Sequence, residues 1–336
     1  MTERNPTIVF TQPGQVMIEQ RPLPEASQGQ VLVRTKRTLI STGTELTILS
    51  GDFPKDSAWS RYGRFPFVPG YDNVGEVIAV GKGVDDEWVG RRVASYGQHA
   101  RYATIDAYSL RPIDEEVPDE YAVFSTMAEI ALNGVRRGGV RLGDAVVIYG
   151  AGLVGQLAAR FCGLCGARPV VVIDLAQLRL SRLPKESFFI ALNPKANDVV
   201  AEVRKETGGR MADVVFEATG NQGLIPAEFN CLREQGKFVV LSSPRGKTEL
   251  DLHDLCNSPS YTIIGAHNRS HPRHSSPDNP WTGRRDAEFF FGLVSTGELD
   301  VGSLISHRIP YSEAPEIYRQ LLKDRSGFMG VILQWD

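Results

Sequence analysis

The sequence lacks the features that mark membrane, secreted and nucleic-acid-binding proteins. None of its apolar runs approaches the roughly 18–20 residues that a membrane-spanning helix needs, so we expect no membrane partner. Its first ten residues, MTERNPTIVF, do not combine a basic region with an apolar stretch, so we expect no secretory signal. The 37 Lys and Arg residues are balanced by 40 Asp and Glu residues without long basic runs, which argues against a nucleic acid as partner.

Cysteine is also scarce, with four in 336 residues. Four thiols in a chain of this length give no disulfide framework, so a reducing cytoplasm is the expected compartment. Cys162 and Cys165 have the spacing of a redox or metal-binding pair. Because they fall in a predicted buried helix, packing in the core is favoured over that alternative.

What the sequence does contain is an alternation of strands and helices from residue 145 onward. Short runs rich in Val and Ile are separated by stretches of helical periodicity, for example Leu153–Cys165 and Asn221–Glu234. This pattern predicts an α/β fold with a doubly wound, parallel, six-stranded sheet covered by helices on both faces. The predicted strands are Ala145–Tyr149, Val170–Asp174, Phe188–Leu192, Asp213–Glu217, Lys237–Leu241 and Tyr261–Ile264.

The residues before about 118 follow a different pattern, a stricter alternation with Gly and Pro between the runs, which is typical of an antiparallel, barrel-like sheet. The runs are Gln30–Ile40, Val74–Val80, Arg91–Ser95 and His99–Ile105. The C-terminal part predicts two helices, Thr282–Thr296 and Tyr311–Asp324, and a last strand, Gly330–Gln334. We therefore expect a β domain (1–124), a nucleotide-binding domain (125–265) and a return to the first domain (266–336).

A glycine motif marks the predicted nucleotide site. The strand AVVIY runs directly into Gly150-Ala151-Gly152-Leu153-Val154-Gly155, which opens a predicted helix. In this G-x-G-x-x-G pattern the first glycine permits the tight turn, the second allows the pyrophosphate to approach, and the third lets helix and strand pack closely. The helix N-terminus, beginning at Leu153, offers free N–H groups to the phosphates.

The residue that ends the next predicted strand indicates which nucleotide binds. Asp174 follows Gly155 by 19 residues. A carboxylate at this place accepts from the adenosine ribose 2′-hydroxyl and repels a 2′-phosphate, so NAD(H) is favoured over NADP(H). Arg179, a further candidate for cofactor binding, and Arg182 lie shortly downstream and leave NADP(H) open as the alternative.

Several short motifs carry a resemblance to the medium-chain dehydrogenase/reductase superfamily, the zinc alcohol dehydrogenases and their relatives. Besides the glycine motif, they are Phe67-Val68-Pro69-Gly70-Tyr71-Asp72, Val74-Gly75-Glu76-Val77, Val89-Gly90-Arg91-Arg92-Val93, Leu142-Gly143-Asp144 and Phe216-Glu217-Ala218-Thr219-Gly220. The resemblance implies a GroES-like β domain joined to a Rossmann domain, a homodimer, and hydride transfer between a nicotinamide and a small-molecule substrate. It also implies that the nicotinamide end of the cofactor is lined by Val154, Thr219, Gly220 and Ser242, with Glu129 beside the ring.

The chain departs from the superfamily at the zinc ligands. Thr42 and Tyr71 stand where zinc-dependent members have Cys and His, and a third ligand would fall near Ser125. Neutral hydroxyls are poor zinc ligands, so we expect no metal. A rearranged metal site of Glu45, Asp72 and Glu129 is the alternative.

The segments Ile40-Ser41-Thr42-Gly43-Thr44-Glu45 and Val68-Pro69-Gly70-Tyr71 are similar to the zinc-lacking branch that contains the 3-hydroxyethyl bacteriochlorophyllide dehydrogenases. Related sugar- and cyclitol-oxidising dehydrogenases also resemble them. Without zinc, another group must hydrogen-bond to the substrate oxygen and handle its proton. Tyr71 is predicted as the acid/base, Thr44 as a hydrogen-bonding relay, and Glu129 as a residue that orients the ring or joins the relay. For Tyr71 the alternative is a packed aromatic ring that fills the former metal cavity.

Substrate contacts are predicted for three residues. Thr42 lies at the former metal position, and His267 and Arg269 lie in a loop rich in His and Arg that suits an anionic or polyhydroxylated substrate. The sequence therefore predicts a zinc-independent, NAD(H)-dependent oxidoreductase that interconverts a secondary alcohol and a ketone, with a sugar, a cyclitol or a natural-product intermediate as substrate. An NADPH-dependent enone or quinone reductase and a non-catalytic nucleotide-binding protein of the same fold are the alternatives.

Overall fold

The computed structural model describes residues 4–336. Their contacts divide the chain into two compact units. The residues up to Thr126 form the first unit together with Thr282–Asp336, and Met127–Trp281 form the second. The chain thus leaves its first unit, builds the second without interruption, and returns.

The second boundary falls after Trp281, later than the predicted boundary after residue 265. Side chains of one helix hold the intervening loop on the second unit. The Asn133 amide donates to the carbonyl oxygen of His267 (3.0 Å) and to the Ser270 hydroxyl (2.8 Å). The Arg136 guanidinium carbon lies 3.2 Å from the centroid of the Trp281 ring, a cation–π contact. Contacts of this kind leave no signal in the periodicity of the sequence.

Strands and helices are numbered in chain order. The strands are β1 (Arg4–Gln12), β2 (Gln15–Pro22), β3 (Gln30–Leu39), β4 (Asn73–Val80), β5 (Arg92–Ser95), β6 (Tyr102–Asp106), β7 (Arg111–Pro112), β8 (Val146–Tyr149), β9 (Val170–Ile173), β10 (Phe189–Leu192), β11 (Ala212–Glu217), β12 (Leu232–Val240), β13 (Thr262–Gly265), β14 (Ile305–Pro310) and β15 (Gly330–Gln334). The α-helices are α1 (Thr44–Ser50), α2 (Ala58–Tyr62), α3 (Asp119–Ala122), α4 (Ser125–Gly138), α5 (Leu153–Leu164), α6 (Gln177–Leu180), α7 (Val199–Glu206), α8 (Ile225–Glu228), α9 (Gly283–Ser295) and α10 (Ala314–Lys323). Short 3₁₀ or π turns lie at Asp86–Trp88, Ala107–Ser109, Phe229–Cys231, His253–Asn257, Asn268–Ser270, Gly302–Leu304 and Tyr311–Glu313.

The second unit is built on a six-stranded parallel sheet in the order β10-β9-β8-β11-β12-β13. All four residues of β8 and of β9 are buried, as expected for β-branched runs that are covered on both faces. The strand order reverses between β8 and β11: β9 and β10 follow outward from β8, and β12 and β13 follow outward from β11. In doubly wound sheets, ligands bind beyond the carboxyl ends of the strands at this point.

The prediction of six parallel strands is confirmed, but one predicted helix is largely wrong. Asn221–Glu234 contains only the four-residue α8 and a 3₁₀ turn before β12 begins at Leu232. Gln235 has φ of 60°, and the pairing of β11 with β12 shifts register in this region. The apolar residues that suggested a helical period therefore belong partly to the first half of a long strand.

The first unit contains the predicted GroES-like sheet. Its strands follow the order β14-β15-β3-β4-β5-β7, with β6 also paired to β3. The pairs are antiparallel except for β14 with β15, which is parallel. A separate hairpin of β1 and β2, which the sequence pattern did not reveal, contributes the buried Ile8 and Phe10 to a core that also contains Tyr318 and Trp335.

No helix in the described part of the chain is both long enough and apolar enough to cross a membrane.

Candidate active site

The glycine motif forms a tight connection between β8 and α5. Gly150 has φ of 101°, a left-handed value that favours glycine, and a Cβ at this residue would lie 2.8 Å from the carbonyl oxygen of Ala218. A Cβ on Gly155 would lie 1.8 Å from the carbonyl oxygen of Gly150. Both positions therefore require glycine, for the turn and for close helix–strand packing respectively.

The N-terminus of α5 is open to a ligand. Gly152 is the N-cap, and no side chain caps the helix. A Cβ on Gly152 would meet nothing within 4 Å, so the space in front of this residue is free. Leu153 is buried and Val154 is partly exposed at the first turn. The N–H groups at the start of this twelve-residue helix thus have no side-chain cap, which suits a pyrophosphate.

Asp174 lies immediately after β9, beside the glycine turn. Its carboxylate accepts from the backbone N–H of Ala151 and from that of Ala176, each at 2.8 Å. The Arg179 guanidinium lies 3.8 Å from the same carboxylate, and the Gln156 amide of α5 donates to the Arg179 carbonyl at 2.7 Å. The structure therefore brings both predicted adenosine-side candidates, Asp174 and Arg179, to the glycine motif.

The three predicted nicotinamide-side residues that follow β11 and β12 converge on one buried carboxylate. Glu217, the last residue of β11, accepts from the backbone N–H and hydroxyl of Thr219, both at 2.7 Å, and from the N–H of Gly220 at 2.8 Å. It also accepts from the Ser242 hydroxyl. From the sequence, Glu217 is part of a motif but has no predicted role. The one available signal for its role was its position at the end of a predicted strand, shortly before Thr219 and Gly220.

Glu228 on α8 is a second buried carboxyl group in this unit. Its side chain is fully buried, and neither carboxyl oxygen has a hydrogen-bond partner among residues 4–336. Burial, together with the negative charge of Glu217, raises the pKa of Glu228 to about 9. At neutral pH Glu228 is therefore uncharged.

The raised pKa makes a prediction about stability. In the unfolded chain Glu228 ionises near its ordinary pKa of 4.5, whereas the folded chain keeps the proton up to about pH 9. The wild type should therefore lose stability as the pH rises through this window, and Glu228→Gln should not. From about pH 6 to about pH 9 we expect the variant to gain roughly 2–4 kcal/mol relative to the wild type. Thermal melts of both proteins at the two pH values check this, and parallel pH dependences would contradict it.

In the first unit, the hydroxyl groups of Tyr71, Ser41 and Thr44 form a cluster. The Tyr71 phenol is hydrogen-bonded to the Ser41 hydroxyl, and it donates to the Thr44 hydroxyl at 3.2 Å. Thr44 is the first residue of α1 and Tyr71 lies just before β4, so segments far apart in the chain form the cluster. The structure thus brings Tyr71 and Thr44 together as predicted and adds Ser41, which the sequence reasoning missed.

The buried carboxylate of Glu45 supports this hydroxyl cluster through hydrogen bonds to its neighbours. Glu45 accepts from the backbone N–H of Ser41 at 3.0 Å and from the Tyr318 hydroxyl. Both of its oxygens lie 3.2 Å from Nε2 of His99, which is fully buried. The contacts fix the start of α1 and hence the position of Thr44.

The phenol of Tyr71 is a weaker acid than that of an ordinary tyrosine. Burial, with a further contribution from the charges of Asp72 and Glu45, raises the pKa of the phenol well above its ordinary value. The phenol therefore stays protonated across the physiological range. A protonated phenol can serve as a hydrogen-bond donor or general acid. The role of base would require a lowered pKa, and the pKa of Tyr71 is raised instead.

The described residues do not assemble a conventional metal site. No group of three or more His, Cys, Asp or Glu side chains with metal-binding geometry occurs between residues 4 and 336. The alternative site of Glu45, Asp72 and Glu129 therefore has no support in the geometry. Of the residues that the resemblance aligns with zinc ligands, Thr42 is partly exposed and its carbonyl accepts from Arg325 at 3.5 Å, and Ser125 is buried.

The remaining candidates lie in the second unit. Glu129 is fully buried on α4. His267 begins a 3₁₀ turn and its Nδ1 accepts from the backbone N–H of Arg269 at 3.1 Å. Partial burial and the charge of Arg269 lower the pKa of His267, so its ring is neutral at pH 7. Arg269 itself is exposed. Their substrate contacts stay predictions.

Cys162 and Cys165 do not form a reactive pair. Both thiols are free, with Cys162 buried and Cys165 exposed near the end of α5. Burial raises the pKa of the Cys162 thiol well above its ordinary value, which opposes the thiolate form that redox chemistry and metal binding need.

Two family models match the chain, one in its N-terminal part and the other in the part that follows. The alcohol dehydrogenase GroES-like domain matches residues 27–132, and the zinc-binding dehydrogenase domain matches residues 154–278. Together they span well over half of the sequence. The chain belongs to the medium-chain dehydrogenase/reductase superfamily, the zinc-type alcohol dehydrogenases and their relatives, and it is an oxidoreductase.

Curated relatives include enzymes of sugar and polyol metabolism. D-guloside 3-dehydrogenase of Shigella flexneri is 29% identical over 77% of this chain and 74% of its own length. L-galactonate-5-dehydrogenase of Escherichia coli is 24% identical over 97% of this chain and 98% of its own length. Sorbitol dehydrogenase 1 of Saccharomyces cerevisiae is 28% identical over 94% and 93%, respectively.

Solved structures share the fold along nearly the whole chain. An alcohol dehydrogenase from Escherichia coli CFT073, complexed with NADH, superposes with a TM-score of 0.81 at 21% identity, covering 98% of this chain and 99% of that one. A zinc-binding dehydrogenase from Sinorhizobium meliloti 1021, bound to NADP, gives 0.80 at 21% identity, with 99% of both chains covered. At this identity the likeness concerns the fold alone.

Proposed function

We propose that the protein is an NAD(H)-dependent dehydrogenase that interconverts a secondary alcohol and a ketone on a hydroxylated substrate such as a sugar or a cyclitol. The observation that carries the proposal is the glycine turn, with an uncapped helix N-terminus in front of it and the Asp174 carboxylate beside it. The sugar and polyol dehydrogenases among the relatives support the substrate class.

The residues of the second unit fit a dinucleotide. The N–H groups at the start of α5 would bind the pyrophosphate, and Asp174 would bind the adenosine ribose. Thr219, Gly220 and Ser242 would bind the nicotinamide end. When bound, the nicotinamide supplies the hydride acceptor or donor, and the chain's own residues provide binding and orientation.

In the first unit, Tyr71 is the proposed proton donor. In the direction of ketone reduction its phenol would give a proton to the substrate oxygen as hydride reaches the carbon. The Ser41 and Thr44 hydroxyls hold the phenol and would return a proton to it. In alcohol oxidation the alcohol proton would pass to the Tyr71 oxygen while Tyr71 releases its own proton to the Thr44 hydroxyl and on to solvent, so that no free phenolate, which the raised pKa opposes, has to form.

We propose that this chemistry runs without zinc. The support is the donor set, since Thr42, Tyr71 and Ser125 are hydroxyl groups and hydroxyls are weak ligands for Zn²⁺. Metal analysis of protein purified without added zinc tests the proposal, and one tightly bound zinc per chain would overturn it. A cytoplasmic homodimer remains part of the proposal, and its assembly state is open to measurement by light scattering.

Asp174→Asn should relax the choice of nucleotide. The variant keeps an acceptor for the Ala151 N–H and removes the charge that repels a 2′-phosphate, while Arg179 stays nearby. We expect NADPH to gain about tenfold or more in affinity relative to NADH, a change worth about 1.4 kcal/mol. Fluorescence titration of both reduced nucleotides measures the ratio. A wild type that already prefers NADPH would show that the carboxylate argument is wrong.

The second candidate function is an NADPH-dependent enone or quinone reductase. The Arg179 guanidinium beside Asp174 is the observation in its favour, because it offers a cation to a 2′-phosphate. Oxidation of NADPH by a set of enones and quinones, without activity on polyols, would select this alternative. Nucleotide binding without turnover on either set would favour a non-catalytic protein.

A further inference from the structure

Four hydrogen bonds tie the two loops at the carboxyl ends of β11 and β12 to Glu217. One of its oxygens accepts three bonds from Thr219 and Gly220, and the other accepts from the Ser242 hydroxyl. The backbone carbonyl of Glu217 also accepts from the N–H groups of Leu241 and Ser242, each at 3.0 Å. A single residue therefore sets the spacing of both loops.

The donors around Glu217 call for a carboxylate in particular. Two are backbone N–H groups, which can only donate, and they face the same oxygen as the Thr219 hydroxyl. Bonds from such donors to a charged acceptor are roughly twice as strong as neutral ones. An amide would present an NH₂ group on one side, and the Ser242 hydroxyl would have to turn to accept from it.

We propose that Glu217 is a positioning residue for the nicotinamide end of the cofactor, because its carboxylate holds Thr219, Gly220 and Ser242 in the conformation that the nicotinamide and its ribose require. The inference rests on the proposed nucleotide site. It extends that site by separating its two ends: the glycine turn and Asp174 serve the adenosine and pyrophosphate, and Glu217 acts only through the opposite loops.

The chain offers a matched control in Glu228. It is as fully buried as Glu217 and lies close enough for their charges to interact. It makes no hydrogen bond to the Thr219–Gly220 turn or to Ser242 in the part of the chain that the structure describes. Glu228→Gln near pH 7 thus exchanges one neutral buried group for another of the same size.

The test compares two ligands on the wild type, Glu217→Gln and Glu228→Gln by calorimetric titration near pH 7. The ligands are NADH and ADP-ribose, which has the adenosine and pyrophosphate but no nicotinamide. We expect Glu217→Gln to weaken NADH binding by about tenfold, through loss of the charged acceptor, and to leave ADP-ribose binding within about twofold. Glu228→Gln should bind both ligands like the wild type.

Each other outcome has a definite meaning. Equal loss of both ligands in Glu217→Gln, or no loss of either, would overturn the inference, and so would a matching loss of NADH affinity in Glu228→Gln. If Glu217→Gln fails to fold, as judged by its thermal melt, Ser242→Ala and Thr219→Val, which each remove one hydroxyl donor to Glu217, provide the same comparison of NADH with ADP-ribose. A wild type that binds neither ligand, nor NADPH, would instead defeat the proposed function.

Discussion

Replacing Gly155 by Ala should abolish measurable NADH binding. The new Cβ would lie 1.8 Å from the carbonyl oxygen of Gly150, and that oxygen belongs to backbone that cannot yield like a flexible side chain. The start of α5 must move away from β8, and the glycine turn then loses the shape that a pyrophosphate needs. We expect the affinity for NADH to fall by about 10³-fold or more and the melting temperature to fall as well.

Two other glycines provide the controls for this variant. Gly152→Ala adds a methyl group where nothing lies within 4 Å, so it should remove NADH binding by blocking the open space while the fold stays stable. Gly292→Ala also meets nothing within 4 Å, on the exposed side of α9, and should leave both properties unchanged or slightly raise stability. Titration and thermal melts of the three variants check the series. Normal NADH binding by Gly155→Ala would contradict the account of the turn.

Tyr71→Phe should collapse turnover while NADH binding persists. The variant keeps the aromatic ring and removes the hydroxyl that contacts Ser41 and Thr44. Removal of a positioned proton donor lowers the rate by about 10²–10⁴-fold, so we expect a loss of kcat in that range. Steady-state kinetics measures the loss of kcat, and titration measures the affinity for NADH. A large loss of kcat at normal NADH affinity would identify Tyr71 as the proton donor.

A surface tyrosine serves as the control for Tyr71. Tyr108 is 67% exposed, and its change to Phe should leave kcat unchanged. If Tyr71→Phe turns over like the wild type, the ring is a packed aromatic that fills the former metal cavity, and the proton must come from another group.

The fold was largely predictable because its core strands are encoded locally. β9 is a run of Val and Ile, and β8 is such a run ended by Tyr149. Every residue of both strands is buried, as a parallel sheet covered on both faces demands. The hairpin of β1 and β2 was missed because its second strand is mostly exposed or half-buried and has no strong apolar pattern. The helix predicted over Asn221–Glu234 was wrong because β12 already begins at Leu232, before the apolar residues that predicted a strand from Lys237.

The candidate site was predictable only where one short segment carries the chemistry. The glycine turn and Asp174 have fixed spacing in the sequence, and the structure brings them together. The partners of Tyr71 are different, since Ser41 contacts it across thirty positions of the chain and the Glu45–His99 contact spans more than fifty. Side-chain networks of this kind depend on strand register and helix packing, which sequence spacing does not specify.

The most direct test of the account is the appearance of reduced nicotinamide, followed by its near-ultraviolet absorbance. The purified protein is given NAD⁺ with a panel of sugars, cyclitols and simple secondary alcohols, with and without a zinc chelator. The account predicts turnover of at least one polyol with NAD⁺, at the same rate in the presence of the chelator. Turnover that the chelator abolishes would contradict the zinc-independent mechanism. No turnover on the panel, with NADPH oxidised by enones instead, would contradict the proposed reaction.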